Sequence, residues 1–233
     1  MGRSFVIGDI HGAYKALKQC IARSGFDYNT DTLYCLGDVC DGWPETRQSI
    51  DELLRIKNLI YILGNHDFLA LKWMQGGVTE EVWLKQGGEA SIQSYDGKPE
   101  NVPGAHINLL KQAQLYHKLD KKLFVHAGFN PLKPIEEQGA DIILWDRQLA
   151  NMTLDFYRKN IPLPQMDYEE VYIGHTPIGL DPIYHSGIWM MDTGAGWSGV
   201  LSMMDIETKE IFQSDLLPSL YPAHEGRKKI IHY

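Results

Sequence analysis

The chain has 233 residues, 44% of them hydrophobic, with 22 Lys and Arg against 30 Asp and Glu for a net charge of -8. Its length and apolar content suit one buried core, with room for an insertion. The acidic balance excludes a broad nucleic-acid surface, which needs a Lys/Arg excess to neutralise phosphates, and no apolar run approaches the roughly 18 residues of a membrane-spanning helix.

In chain order, residues 3–7 (RSFVI) predict a strand and 13–25 an amphipathic helix stopped by Gly25. Residues 32–36 (TLYCL) predict a second strand, 45–56 a helix starting after Pro44, 58–63 (NLIYIL) a third strand, and a helix follows from about Asp67. Strands recurring at this interval with helices between them indicate βαβ units and a parallel sheet. Residues 75–120 break the rhythm with Gly76-Gly77, Gly87-Gly88 and the loop 96–104, and they read as mostly helical. Residues 122–128 resume a strand, 129–167 are rich in proline and glycine around ADIILWDRQLA, and 171–175, 187–194, 199–207 and 209–213 read as consecutive strands of a partly antiparallel second sheet. Each β half needs the other to cover it. The expectation is a single α/β sandwich over 1–233, with 75–120 as a helical cap.

The strand ends carry the chemistry. The first strand runs into Gly8-Asp9-Ile10-His11-Gly12, the second into Gly37-Asp38-Val39-Cys40-Asp41, the third into Gly64-Asn65-His66-Asp67, and later ones into His126-Ala127-Gly128 and Gly174-His175-Thr176. Carboxyl ends of parallel strands are where open α/β sheets bind ligands, and glycine lets the backbone approach an ion closely. Singly, an Asp-Gly is a turn and a His at a strand end is a structural hydrogen-bonder; in order and together they point to one crevice. A mixed His/Asp/Asn set with no thiolate suits a borderline divalent pair. Asp38 can bridge two such ions, which share a hydroxide and clamp the attacking and leaving oxygens of an in-line phosphoryl displacement. Cys20, Cys35 and Cys40 form no CxxC pair and read as inert filler rather than a disulfide or zinc framework. With no signal-peptide core in MGRSFVIGDIHG, the expected location is the cytoplasm.

The motif set GDIHG, GDVCDGW, GNHD, HAG, GHT and DTGA (Asp192 to Ala195) resembles the calcineurin-like metallophosphoesterases, in their phosphoprotein phosphatase branch, over residues 5–207. The short length, 83–95 (WLKQGGEASIQSY) and LWDR at 144–147 look like the compact bacterial and phage members. The resemblance implies a fold of two mixed sheets flanked by helices with metals at the carboxyl ends of strands. It implies two divalent cations, Mn²⁺ first with Fe or Zn²⁺ as alternatives, one held by Asp9, His11 and Asp38 and the other by Asp38, Asn65, His126 and His175. It makes His66 the general acid, Asp41 the carboxylate that orients it, and Arg147 a phosphate-gripping residue, the plain alternative being a surface arginine after a buried Trp145.

One departure stands out. Gly42-Trp43 replaces the family's usual Arg-Gly, and loss of a charge-assisted phosphate contact costs about 1.5–3 kcal/mol. Arg47, one helical turn on, is the candidate replacement, and Trp43 reads as either a stacking face or a packed aromatic. The implied activity is a two-metal phosphomonoesterase of Ser/Thr or broad specificity, acting on a phosphoprotein or small phosphate ester. A dinucleoside tetraphosphate hydrolase is the first rival: it shares GNHD, but usually keeps the arginine missing here and replaces the aspartate kept at Asp41. A phosphodiesterase usually ends in GHxH, whereas Thr176-Pro177 follows His175. A non-catalytic phosphate-binding module is disfavoured because every chemically necessary position is filled.

Overall fold

The computed structural model describes residues 2–227. These form two five-stranded sheets packed face to face, with helices outside each. The first sheet has the order β10-β9-β1-β2-β3. Its parallel half is β1 (Ser4–Ile7), β2 (Thr32–Cys35) and β3 (Asn58–Tyr61), joined by α1 (Tyr14–Ser24) and α2 (Thr46–Leu53). α1 ends where Gly25 turns left-handed (φ 59°) and its amide closes onto Ala22 and Ile21, the stop that glycine allows without a Cβ penalty. α3 (Asn65–Gly76) leaves β3 directly, so its first turn lies at the sheet's carboxyl edge.

The segment expected to form a cap follows: α4 (Glu81–Trp83), a widened turn over Leu84–Gly88, α5 (Glu89–Ser94) and α6 (Gly104–Gln112). The expectation of mostly helix through 120 misses β4 (Tyr116–Leu119), an edge strand antiparallel to β5 (Lys122–Val125). The second sheet runs β4-β5-β6-β8-β7, with β5, β6 (Glu170–Ile173) and β8 (Ile188–Met190) parallel and β7 (Ile183–His185) antiparallel at the far edge. α7 (Ala140–Trp145) and α8 (Gln148–Lys159) connect β5 to β6. β9 (Ser202–Asp205) and β10 (Ile211–Gln213), read from sequence as part of the second sheet, instead return to the first, with Phe5 opposite Asp205. α9 (Leu217–Leu220) packs against α1.

Alternation along each strand explains the layers. Val6, Tyr34, Phe124, Tyr172 and Met204 point between the sheets and are buried. There Tyr34 stacks on Phe124 (4.1 Å) and Phe124 on Tyr172 (4.8 Å). Phe5, Ile7, Leu33 and Cys35 face α1, α2 and the cap, while Leu123, Val125, Val171 and Ile173 face the helices of the second sheet. No helix of the described residues is long and apolar enough to cross a membrane.

Candidate active site

β1, β2, β3, β5 and β6 all deliver their carboxyl ends to one edge of the sandwich. Asp9, His11, Asp38, Asp41, Asn65, His66, His126 and His175 meet there, each no more than 6% exposed. Close approach is built into the backbone: a Cβ at Gly64 would fall 2.0 Å from Asp38 Oδ1, and one at Gly174 would fall 2.2 Å from Asp9 Oδ1. His11, Asp38, Asp41 and His175 hold left-handed φ between 52° and 74°, a conformation costing about 1–3 kcal/mol for a side-chain-bearing residue and concentrated at functional sites.

Two trios stand out. Asp9, His11 and Asp38 present ligand atoms within 4.8 Å of one another, as do Asp38, His126 and His175, so Asp38 belongs to both. Backbone contacts aim these groups. The His11 Nδ1–H donates to Cys40 O (3.0 Å) and the His126 Nδ1–H to Leu36 O (2.7 Å), leaving each Nε2 toward the carboxylates. His126 Nε2 lies 3.0 Å from Asn65 Oδ1 and 3.4 Å from Asp38 Oδ2. His175 Nε2 is buried without a hydrogen-bond partner, and such an orphaned lone pair fits a cation. The donor set of imidazoles, carboxylates and one amide therefore fits divalent metal ions.

The electrostatics divide the donors into two groups, His175 and His11 held neutral and His126 and Asp9 held toward their protonated forms. Burial, with His126 and Arg147 nearby, drives His175 down to about 2, and burial with Arg227 pushes His11 well below its usual range, so both keep free lone pairs. Burial also opposes a charge on His126, but the Asp38 carboxylate overrides it and lifts the ring to about 9. Burial and the neighbouring Asp192 raise Asp9; a bound divalent charge reverses that direction.

Beside the trios, His66 Nδ1 lies 2.6 Å from Asp41 Oδ2. The cap supplies the rest of that carboxylate's partners: the Trp83 indole N–H donates to Oδ2 (2.7 Å) and the Ser91 hydroxyl to Oδ1 (2.8 Å). The stretch holding Trp83 and Ser91 stands out in the sequence, but nothing in its pattern says which side chains face Asp41. Asp67 is a second buried organiser. Its carboxylate accepts from the amides of Asp38 (2.7 Å), Cys40 (3.1 Å) and Gly64 (3.2 Å) and from Tyr61 OH (2.8 Å), pinning the loop after β2 to α3. Cys40 lies within this network, fully buried, with burial and the adjacent Asp67 raising its thiol well above the usual range.

The arginines divide. Arg147, at the start of α8, is exposed on the rim and lies in the field of Asp192, Asp9 and Asp38. Trp145 before it is not buried but 38% exposed, edge-on to Phe68. Arg47 is not brought to the cluster: it is exposed on α2, and its charge acts on Tyr95 and His106 of the cap. Trp43 is a packed aromatic, stacked on Tyr221 at 4.9 Å, with its indole N–H on Ala195 O (2.7 Å). Arg227, which no motif marks, reaches the cluster with Nη1 3.3 Å from His11 Nε2.

Comparison with known proteins gives the family. The calcineurin-like phosphoesterase family matches residues 2–196. The chain is 25% identical to the asymmetrical bis(5'-nucleosyl)-tetraphosphatase PrpE of Bacillus cereus, over 93% of this chain and 94% of that protein. It is 26% identical to the PrpE of Halalkalibacterium halodurans, over 85% and 88%. A solved structure provisionally described as a diadenosine tetraphosphatase superposes with a TM-score of 0.67 at 21% identity, covering 91% of this chain and 92% of that one. The chain belongs to the calcineurin-like phosphoesterase family and is a metal-dependent phosphoric ester hydrolase.

Proposed function

We propose that the protein hydrolyses dinucleoside polyphosphates, with a bis(5'-nucleosyl) tetraphosphate as the representative substrate. The observation that carries this reading is the end-to-end likeness to bis(5'-nucleosyl)-tetraphosphatases of the same extent. It outweighs the contrast at Gly42 and Asp41, which had favoured a monoesterase from sequence alone. In this reading Asp9, His11 and Asp38 hold one divalent ion and Asp38, Asn65, His126 and His175 the other, with Mn²⁺ the first choice. Bound there, such ions supply Lewis acidity toward a phosphoryl oxygen and make water acidic enough to attack. The chain's own residues do the rest. Arg147 binds phosphate oxygens at the rim, His66 protonates the leaving oxygen, and Asp41 holds the imidazole for that transfer. Water adds across one P–O–P bond, its oxygen joining phosphorus and its proton passing to the leaving phosphate. The helices from Glu81 to Gln112 act as a cap through Trp83 and Ser91, and three unpaired thiols suit a reducing cytoplasm.

A phosphomonoesterase is the second reading, favoured by the intact His66–Asp41 contact, because an alkoxide leaving group needs a proton more than a phosphate does. The deciding experiment is Mn²⁺-loaded turnover of diadenosine tetraphosphate, para-nitrophenyl phosphate, its bis ester and phosphoserine, phosphothreonine and phosphotyrosine peptides. The tetraphosphate should show the highest kcat/KM. A phosphopeptide turned over faster would replace this reading with the second.

A further inference from the structure

Arg227 lies far from every motif, yet its side chain threads into the metal-ligand cluster. Its amide donates to Gly196 O (2.7 Å), its Nε–H donates to Gln86 O (3.1 Å), and its guanidinium carbon stands 4.9 Å from the centroid of the Trp197 ring. The tip ends 3.3 Å from His11 Nε2. The route is open because three residues along it lack side chains. A Cβ at Gly42 or Gly87 would meet Arg227 Cγ at 3.2 Å, and one at Gly196 would meet its Cδ at 3.1 Å. The space that a side chain on residue 42 would enter is thus filled by the stem of Arg227.

The cation is aimed at the cluster and is not neutralised on the way. Among the described residues no carboxylate lies within 4.0 Å of a nitrogen of Arg227 or of Arg147. The two arginines nonetheless share one field: Arg227 acts on His11, Asp192 and Arg147, and Arg147 acts on His175. Two cations acting on one buried cluster repel each other, and an anion bound there relieves that repulsion. When His11 gives its Nε2 lone pair to a cation it has none left for Nη1, whose N–H groups then need another acceptor. A phosphoryl oxygen matches that fork in charge and shape.

We propose that Arg227 is a phosphate-binding residue of this site, reaching through the gap at Gly42 to grip a non-bridging oxygen of the phosphoryl group opposite Arg147. The assignment rests on the reading of the cluster as the phosphoester site, but not on which ester is cleaved.

Isothermal titration of inorganic phosphate into the Mn²⁺-loaded protein tests it, with metal content measured on the same samples. Arg227→Gln should weaken phosphate binding by about tenfold or more, the value of one charge-assisted contact, with metal content unchanged. Arg227→Lys keeps the charge and most of the stem but not the fork, and should weaken binding at least about threefold. It decides the matter alone if the glutamine variant does not fold. Unchanged phosphate affinity in either folded variant would overturn the assignment. So would tighter metal binding with phosphate affinity unmoved, which would make the guanidinium a competitor for the cation position. If the wild type binds phosphate through Arg227 yet leaves diadenosine tetraphosphate intact, the substrate reading falls and this assignment stands. If Arg227→Gln binds phosphate and cleaves the tetraphosphate like the wild type, the assignment falls and the substrate reading stands.

Discussion

Trp83 and His66 share one oxygen: the indole N–H of Trp83 donates to Asp41 Oδ2 at 2.7 Å, and His66 Nδ1 meets the same atom at 2.6 Å. The segment from Glu81 to Ser94 is therefore tied through Asp41 to the imidazole at the edge of the candidate cluster. Ser91 adds a second link, donating to Asp41 Oδ1 while its oxygen accepts the Asp41 amide, both at 2.8 Å. Fully buried, this carboxylate depends on such donors.

Trp83→Phe keeps an aromatic ring in the cap core but deletes the indole donor. It should lower kcat by about tenfold, the worth of one hydrogen bond to a charged group, with KM and metal content little changed. Ser91→Ala should do the same. Wild-type kcat in both variants, measured on metal-loaded protein, would show that the cap does not position Asp41.

Asp38 belongs to both ligand trios, so its loss should damage both sites at once. The wild type, loaded and then freed of loosely bound ions, should retain about two equivalents of divalent metal. Asp38→Asn should lose at least one of them and lower kcat by more than about 100-fold, since the bridge carries the charge that holds the ions together. Elemental analysis that still found both equivalents in Asp38→Asn would refute the bridging role.

The cluster was legible in the sequence because each part of it is local: a strand followed at once by glycine, aspartate, asparagine or histidine writes its own position at the strand's end. What depends on distant pairing was not. β9 pairs with β1 across some two hundred residues, Phe5 to Asp205, and a short run such as SMMD carries no mark of which sheet it joins. β4 was lost because YHKL is a half-exposed edge strand without a hydrophobic run. The turn at Gly87, with its φ of 107°, and the packing of the Trp83 ring over Gly88, where a Cβ would fall 2.4 Å from it, are invisible in the letters. The departure at Gly42 was visible, but its counterpart Arg227 was not. Helix spacing suggested Arg47, and packing turned that residue outward.

A pH dependence should appear in the cap. His106 is 1% exposed, with Nδ1 on Tyr95 OH (2.8 Å) and Nε2 on Asp51 Oδ1 (2.9 Å), and burial lowers its pKa from 6.5 although Asp51 pulls the other way. A depressed histidine leaves the folded state intact above its unfolded value. As pH falls through 6.5 the unfolded cap gains a proton that the folded one resists, and stability drops until the folded value is reached. Hydrogen exchange of the amides from Tyr95 to Gln112, corrected for intrinsic rates, should show protection falling from about pH 7 to about pH 5.5. His106→Gln should flatten that slope, whatever it does to absolute stability. Equal slopes in the two proteins would assign the effect to other groups.

The role of His66 separates the two substrate readings. A general acid matters in proportion to the basicity of the oxygen it protonates, and its removal costs about 10²- to 10⁴-fold where the leaving group is poor. A serine alkoxide is a poor leaving group, whereas para-nitrophenolate and the phosphate released from an anhydride leave with little help. His66→Asn should therefore lose at least about 100-fold on phosphoserine peptide, but no more than about tenfold on para-nitrophenyl phosphate and diadenosine tetraphosphate. The substitution spares the backbone contact in which the residue 66 amide donates to Asp38 Oδ1 at 2.9 Å, so metal content should stay at the wild-type level. Equal losses on all three substrates, with metals retained, would mean that the ring positions substrate rather than donating a proton. Equal losses with metals gone would place it among the groups that hold the ions. If the graded pattern is found together with a wild-type preference for the tetraphosphate, the Asp41–His66 pair is a general acid whose favoured substrate makes only a modest demand on it.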